Sequence, residues 1–225
     1  MTIVQGGDPD GVAVLYFHGA ASRVDPGPSD ELCRAAGVRL LRHIRPGYDG
    51  LPPEPDLSLT EVARAAVDEA TLVCGGPLAV LGWSGGGPYA LAAAASAPSM
   101  VSSTALVSAW APMNPPDSGL PLAVRAFTLL SQRMPRPVLA LVLAAVGRRT
   151  PGHVDDIRRV AADWEIEIGE IGPPVVCWHA TADASVPIGP WRAADVALHE
   201  VDGTWHDPPD HVWAEVLAFA TSSTA

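Results

Sequence analysis

Three side chains that lie far apart in the sequence have the types needed for nucleophilic chemistry on an acyl group: Ser84, Asp183 and His206. Ser84 sits in Gly82-Trp83-Ser84-Gly85-Gly86, after the apolar run Leu78 to Gly82 and before the Ala-rich stretch Gly85 to Ala97. This is the pattern of a serine on a tight turn between a buried strand and a helix. Such a turn strains the serine backbone and lifts its Oγ above the strand ends. Glycines two residues before and two after allow strand and helix to approach closely. The start of the helix offers N–H groups and a positive dipole end to a developing oxyanion, and Gly85 is placed to supply one such N–H.

A serine hydroxyl is a weak nucleophile until a base accepts its proton, and the base works best when a carboxylate orients it. The strand candidate Val175 to His179 is followed by Ala180-Thr181-Ala182-Asp183, and the strand candidate Val196 to Val201 by Asp202-Gly203-Thr204-Trp205-His206. Both groups would therefore emerge at the same edge of a parallel sheet as Ser84. Asp202 and Asp207 are competing acids close to His206, with Asp183 the preferred partner.

Two other chemistries fit parts of the pattern. Gly85-x-Gly87-x-x-Ala90 satisfies a loose dinucleotide fingerprint. However, Pro88 falls among the residues that would approach a pyrophosphate, and the next strand ends in Trp110 rather than in an acid for a ribose. His206-Asp207-Pro208-Pro209-Asp210-His211 hints at a metal site but lacks a third cluster of ligands. Neither a metal nor a cofactor is therefore expected.

The elements that must hold these residues read as an α/β alternation. Val12 to His18 and Val38 to Ile44 are strand candidates, with a short helix between them from Ser29 to Gly37. Ser58-Leu59-Thr60-Glu61 has capping-box spacing and opens a helix to about Val73. Thr104 to Ala109 is a further strand, and a last helix runs from about Pro209 to Thr221. Alternation of this kind predicts a mostly parallel sheet with helices on both faces. One stretch, Pro112 to Ile171, carries no strand signal. Its apolar helix candidates Leu120 to Met134 and Pro137 to Arg148 suggest a short helical lid over 112–150. A more polar third candidate, from about Val154 to Ile168, reads as the ordinary crossover helix. One domain over 1–225 suits this length.

In this order, Tyr16-Phe17-His18-Gly19, Arg45-Pro46-Gly47-Tyr48, the turn around Ser84, Trp178-His179-Ala180-Thr181-Ala182-Asp183 with Val186-Pro187, and Gly203 to His206 make the chain resemble the α/β-hydrolase superfamily, especially its small esterase-like bacterial members. The resemblance spans almost the whole chain. It implies that Ala20, the residue after His18-Gly19, gives the second oxyanion N–H beside that of Gly85. Superfamily cores usually begin with two extra antiparallel strands, and here the segment before Val12 has room for one short strand at most. Trp83, Trp110, Met113 and Val186 are the candidates to line an apolar substrate pocket, with core packing an equal alternative for the two tryptophans. Arg45, Tyr48 and Asp49 are expected in a simple turn, with a place near the mouth as the alternative.

Hydrolysis of a carboxylic ester or thioester through an acyl-enzyme is the leading expectation. The same fold and triad also support a cofactor-free lyase, an acyltransferase or a perhydrolase, and a pocket that binds without turnover is a third class. The net charge of -11 and the absence of any basic block argue against nucleic acid. All 14 basic residues are arginine, which rules out lysine Schiff bases, Ser–Lys dyads and lysine-bearing phosphate loops. Cys33, Cys74 and Cys177 read as core thiols. The apolar runs are too short for membrane insertion and no secretion signal is visible, so a soluble cytoplasmic protein acting on a small-molecule acyl substrate is expected. The residues set no oligomeric state.

Overall fold

The runs rich in Val, Leu and Ile become the strands of one sheet in the computed structural model, which describes residues 2–20, 27–111, 122–147, 150–162 and 164–222. These strands are β1 (Ile3–Gly7), β2 (Val12–Phe17), β3 (Val38–His43), β4 (Leu78–Trp83), β5 (Val101–Val107), β6 (Val175–Ala180) and β7 (Ala197–Val201). Their spatial order is β1-β3-β2-β4-β5-β6-β7. Among them only β1 runs antiparallel, against β3, and the other neighbours are parallel. The short leading segment thus makes a single antiparallel strand.

Helices cover both faces. They are α1 (Asp30–Ala35), α2 (Leu59–Cys74), α3 (Gly87–Ser96), α4 (Leu122–Arg133), α5 (Arg136–Ala145), α6 (Pro151–Ala161), α7 (Gly189–Arg192) and α8 (Asp210–Ser222). The period-two alternation of β2 shows how the sheet is sandwiched. Leu15 and Phe17 pack with Val62, Ala66 and Val67 of α2 and Tyr89 of α3. Val14 and Tyr16 face the opposite side, with Cys33 of α1 and Val212, Trp213 and Val216 of α8. The capping box of α2 is formed, Ser58 N–H donating to Glu61 Oε2 at 2.8 Å and Glu61 N–H to Ser58 Oγ at 3.2 Å. Gly75 ends that helix in the left-handed region.

Three details depart from the sequence reading. β5 starts at Val101 rather than Thr104. α6 starts and ends earlier than the expected Val154 to Ile168, because Pro151 takes its first turn and Trp164 folds back, Nε1–H donating to the Val160 carbonyl at 2.9 Å. The short α7 gave no periodic signal; it is pinned by Trp191, whose Nε1–H donates to the Ala109 carbonyl at 2.7 Å. α5 and α6 share a small apolar cluster of Leu139, Leu143 and Val154. Among the described residues no helix is long and apolar enough to cross a membrane. All three cysteines are free, Cys33 and Cys177 in the core.

Candidate active site

β4 ends at Trp83, and Ser84 turns the chain into a single 3-10 turn, Ser84–Gly86, that leads into α3. Ser84 has φ 52°, a left-handed conformation for a residue with a Cβ. Strain of this kind costs about 1–3 kcal/mol and persists only where the surroundings enforce it. Part of the enforcement is visible: the Ser84 carbonyl accepts from Trp110 N–H at 3.0 Å. Two glycines make the turn possible. A Cβ on Gly82 would lie 2.7 Å from the Gly86 oxygen and from Gly87 Cα. A Cβ on Gly86 would run into the Phe17 carbonyl at the end of β2.

The loops after β6 and β7 bring the other two groups to the same edge. Asp183 lies three residues past β6, and its side chain is fully buried. Its Oδ1 accepts from the N–H groups of Ser185 at 2.7 Å and Val186 at 3.1 Å, which fixes the carboxylate plane. The two loops are tied together by Ala182 N–H donating to the Gly203 carbonyl at 2.9 Å. His206 is held from behind: Trp83 Nε1–H donates to the His206 carbonyl at 2.9 Å, and the two rings lie 5.4 Å apart. His206 Nδ1 is 2.8 Å from Asp183 Oδ2, and Nε2 is 3.0 Å from Ser84 Oγ. Since an ionised carboxylate only accepts, the proton belongs on Nδ1, leaving Nε2 free to accept from the serine hydroxyl. Of the three candidate acids, the imidazole meets Asp183.

A cavity of about 210 Å³ opens over the hydroxyl. Gly19, Ala20, Trp83, Ser84, Trp110 and His153 line it, and Ser185, Val186 and His206 complete the described wall. Trp83, Trp110 and Val186 therefore face the space, whereas Met113 lies outside the described residues. Ala20 and Gly85 are neighbours: a Cβ on Gly85 would be 3.0 Å from the Ala20 nitrogen. Among the described residues the lid segment contributes no wall group. The polar wall residue from this part of the chain is His153 of α6, which therefore does more than cross from β5 to β6.

Behind the cavity lies a second polar cluster, completely sealed. Arg45 and Asp156 both have 0% exposure and are joined at 2.7 Å. Asp156 also accepts from Tyr48 Oη–H at 2.7 Å and Tyr89 Oη–H at 2.6 Å. Burial alone would raise the Asp156 pKa, but the Arg45 charge and the hydrogen bonds from Arg45, Tyr89 and Tyr48 outweigh it and hold the carboxyl below its ordinary range. Burial opposes the Arg45 charge too, and Asp156 holds the guanidinium protonated. Burial pushes His18, His43 and His179 down, His43 to about 3.

Sequence reasoning missed His153, Asp156 and Ser185. A signal for the first two existed: with Pro151 at the first helical position, His153 and Asp156 stand three apart on one helix face. Starting the helix at Val154 hid it. Arg45 and Tyr48 do stand in a turn, Tyr48 N–H donating to the Arg45 carbonyl at 3.2 Å, but their side chains are buried in the core rather than at the mouth, with the loop tied to α6 through Gly152 N–H and the Gly47 carbonyl.

Comparison with known proteins extends this picture. The model of the alpha/beta hydrolase family matches residues 14–219. The alpha/beta hydrolase fold protein from Nakamurella multipartita is 21% identical with a TM-score of 0.67, over 99% of this chain and 96% of that one. The monoacylglycerol lipase from Paleococcus ferrophilus is 19% identical with a TM-score of 0.66, over 98% and 100%. The bromoperoxidase from Bacillus anthracis is 15% identical with a TM-score of 0.66, over 96% and 92%. At these identities the likeness to solved structures speaks for the fold alone. A search of curated proteins finds no match.

Proposed function

Since the chain belongs to the α/β-hydrolase family, we propose that it is a serine hydrolase that cleaves a carboxylic ester or thioester of a small molecule through an acyl-enzyme. The observation that carries this reading is the unbroken chain from Ser84 Oγ through His206 to Asp183 at the mouth of a cavity.

Ser84 Oγ attacks the substrate carbonyl carbon as its proton passes to His206 Nε2. Asp183 holds the imidazole in the Nδ1–H tautomer and stabilises the imidazolium that forms. The oxyanion is met by the N–H groups of Gly85 and Ala20; losing one such donor costs about 2.7–4 kcal/mol of transition-state stabilisation. Collapse of the tetrahedral intermediate expels the alcohol or thiol, which takes the proton from His206. Water then attacks the acyl-enzyme with His206 again as base, releasing the acid and the free serine. No cofactor enters any step.

The described cavity, about 210 Å³, is below the roughly 300–1,000 Å³ usual for drug-sized ligands and suits a short acyl group. Trp83, Trp110 and Val186 give it apolar walls, and His153 and Ser185 give polar ones.

The test is covalent. A fluorophosphonate is expected to add once, on the peptide carrying Ser84, and not to the Ser84→Ala chain, read by intact and peptide mass. p-Nitrophenyl acetate and butyrate are expected to turn over faster than the octanoate. A folded wild-type protein that neither takes the label nor hydrolyses any of these esters would sink the reading.

A further inference from the structure

The sealed cluster reaches the reacting groups through the backbone. The Arg45 guanidinium donates from Nη1 to the His18 carbonyl and from Nη2 to the Gly19 carbonyl, the latter at 3.3 Å. Gly19 O also receives His18 Nδ1–H at 2.7 Å, and His18 Nε2 accepts from Arg45 N–H at 3.4 Å. Two donors thus fix one carbonyl. The Gly19 carbonyl and the Ala20 N–H belong to the same planar trans peptide, so they point in opposite directions. Drawing the oxygen toward Arg45 turns the Ala20 N–H away from it. The residue after the nucleophile is close to that N–H: a Cβ built on Gly85 would lie 3.0 Å from the Ala20 nitrogen.

The guanidinium itself has little freedom. Its carbon lies 5.1 Å from the Tyr48 ring centre and 4.7 Å from that of Tyr89. Its charge is matched by Asp156, on a helix whose first turn is locked to the Arg45 loop: Gly152 N–H donates to the Gly47 carbonyl at 3.1 Å. A guanidinium that carried only stability would not need to spend two of its forks on consecutive carbonyls beside a reacting serine.

We propose that Arg45, held in place by Asp156 of α6, is a positioning residue that aims the Gly19–Ala20 peptide at the oxyanion. The proposal rests on the serine hydrolase reading and adds to it a residue that touches neither substrate nor nucleophile. An ammonium group would keep the charge opposite Asp156 but could not bridge two carbonyls and a carboxylate in one plane.

The experiment compares wild type, Arg45→Lys and Arg136→Gln. The last breaks the ion pair from Arg136 of α5 to Asp155, the neighbour of Asp156 on α6, and leaves every contact of Arg45 in place. Active sites are counted by fluorophosphonate titration, and kcat, KM and the Ki of an alkyl trifluoromethyl ketone, which presents an oxyanion when bound, are measured per titrated site. Arg45→Lys is expected to lower kcat roughly 10- to 100-fold, less than outright loss of a donor, with KM within about threefold. The ketone Ki should rise by the factor that kcat/KM falls. Arg136→Gln should keep wild-type kcat and Ki. The proposal is overturned if folded Arg45→Lys keeps kcat within about threefold, or if Arg136→Gln loses as much. If Arg45→Lys does not fold, Asp156→Asn takes its place under the same criteria. Wild type that neither labels nor turns over speaks against the hydrolase reading itself, whatever the variants do.

Discussion

Asp183 and Asp156 are both buried carboxylates at the centre of a hydrogen-bond cluster, yet they are built for opposite purposes. Asp156 already faces cations: the Arg45 guanidinium and two phenols bond it, Arg159 stands 3.9 Å away on its own helix, and the cluster has no opening. Asp183 receives two backbone N–H groups and an imidazole, and its nearest potential cation is charged only after a proton arrives. The first arrangement is at rest. The second gains most when His206 becomes an imidazolium, which is the moment Ser84 gives up its proton. A buried carboxylate is poised for chemistry when its partner can become charged, and static when its partner is charged already.

The sharpest way to break this comparison is at the hydroxyl. Ser84→Ala should lower kcat by roughly 10⁴-fold or more while leaving the melting temperature almost unchanged. Ser84→Gly should lose as much activity and gain about 1 kcal/mol or more in urea denaturation, because glycine tolerates φ 52° without the strain. Residual activity near wild type in either chain would mean that the strained serine is not the nucleophile.

Next in size is Asp183→Asn. The amide keeps the shape but favours the wrong imidazole tautomer, and a fall of roughly 10⁴-fold in kcat is expected from the corresponding change in other serine triads. The matching change at the static carboxylate, Asp156→Asn, should act mainly on stability and on the aim of the Ala20 peptide. If the two substitutions gave the same kcat, the poised and static assignments would be indistinguishable.

The poised cluster was legible in the sequence and the static one was not, for physical reasons. A strand-to-helix turn demands small residues at fixed offsets, so Gly82, Ser84 and Gly86 announce themselves. Asp183 and His206 follow from where parallel strands end. The strand and helix order followed likewise from apolar period and caps such as Ser58 with Glu61. Arg45 and Asp156 are 111 residues apart and share no motif; Arg45 stands in a turn-like Arg-Pro-Gly-Tyr stretch, and Asp156 reads as an ordinary surface charge. Nothing local tells that a charged side chain will be buried; that depends on which helix lands on which loop. His153 was hidden differently, by a helix start placed three residues too late, at Val154 instead of Pro151.

Stability gives the third test. Asp156→Ala leaves a guanidinium buried without its counter-charge and should cost about 3–5 kcal/mol in urea denaturation. The double change Arg45→Met with Asp156→Leu removes the closer charge pair and should recover part of that loss; Arg159, buried 3.9 Å from Asp156, loses its carboxylate but keeps its bonds to the Leu57 and Glu54 carbonyls. Asp183→Ala should cost less than Asp156→Ala, because the groups it abandons are two loop N–H donors and a part-exposed imidazole rather than a sealed guanidinium. Equal costs would say that the static cluster is no more central to the fold than the poised one.

The smallest effect is the pH dependence of stability, and its sign follows from the buried histidines. Burial, reinforced by the Arg45 charge, takes His43 from its ordinary 6.5 to about 3 in the folded chain. Between those two values the unfolded chain binds a proton that the folded chain refuses. Stability from this site is therefore complete above the unfolded value and falls as pH drops through the window, with a slope approaching about 1.4 kcal/mol per pH unit. His18, lowered by burial and by Arg45, adds in the same direction. Asp156, held below its ordinary 3.8, takes over only below that value, where acid begins to protonate the unfolded carboxyl before the folded one. Urea denaturation across pH 4–6 should show a positive slope that His43→Phe reduces by up to about one proton's worth. A slope that His43→Phe leaves untouched would mean that burial does not keep His43 neutral in the fold.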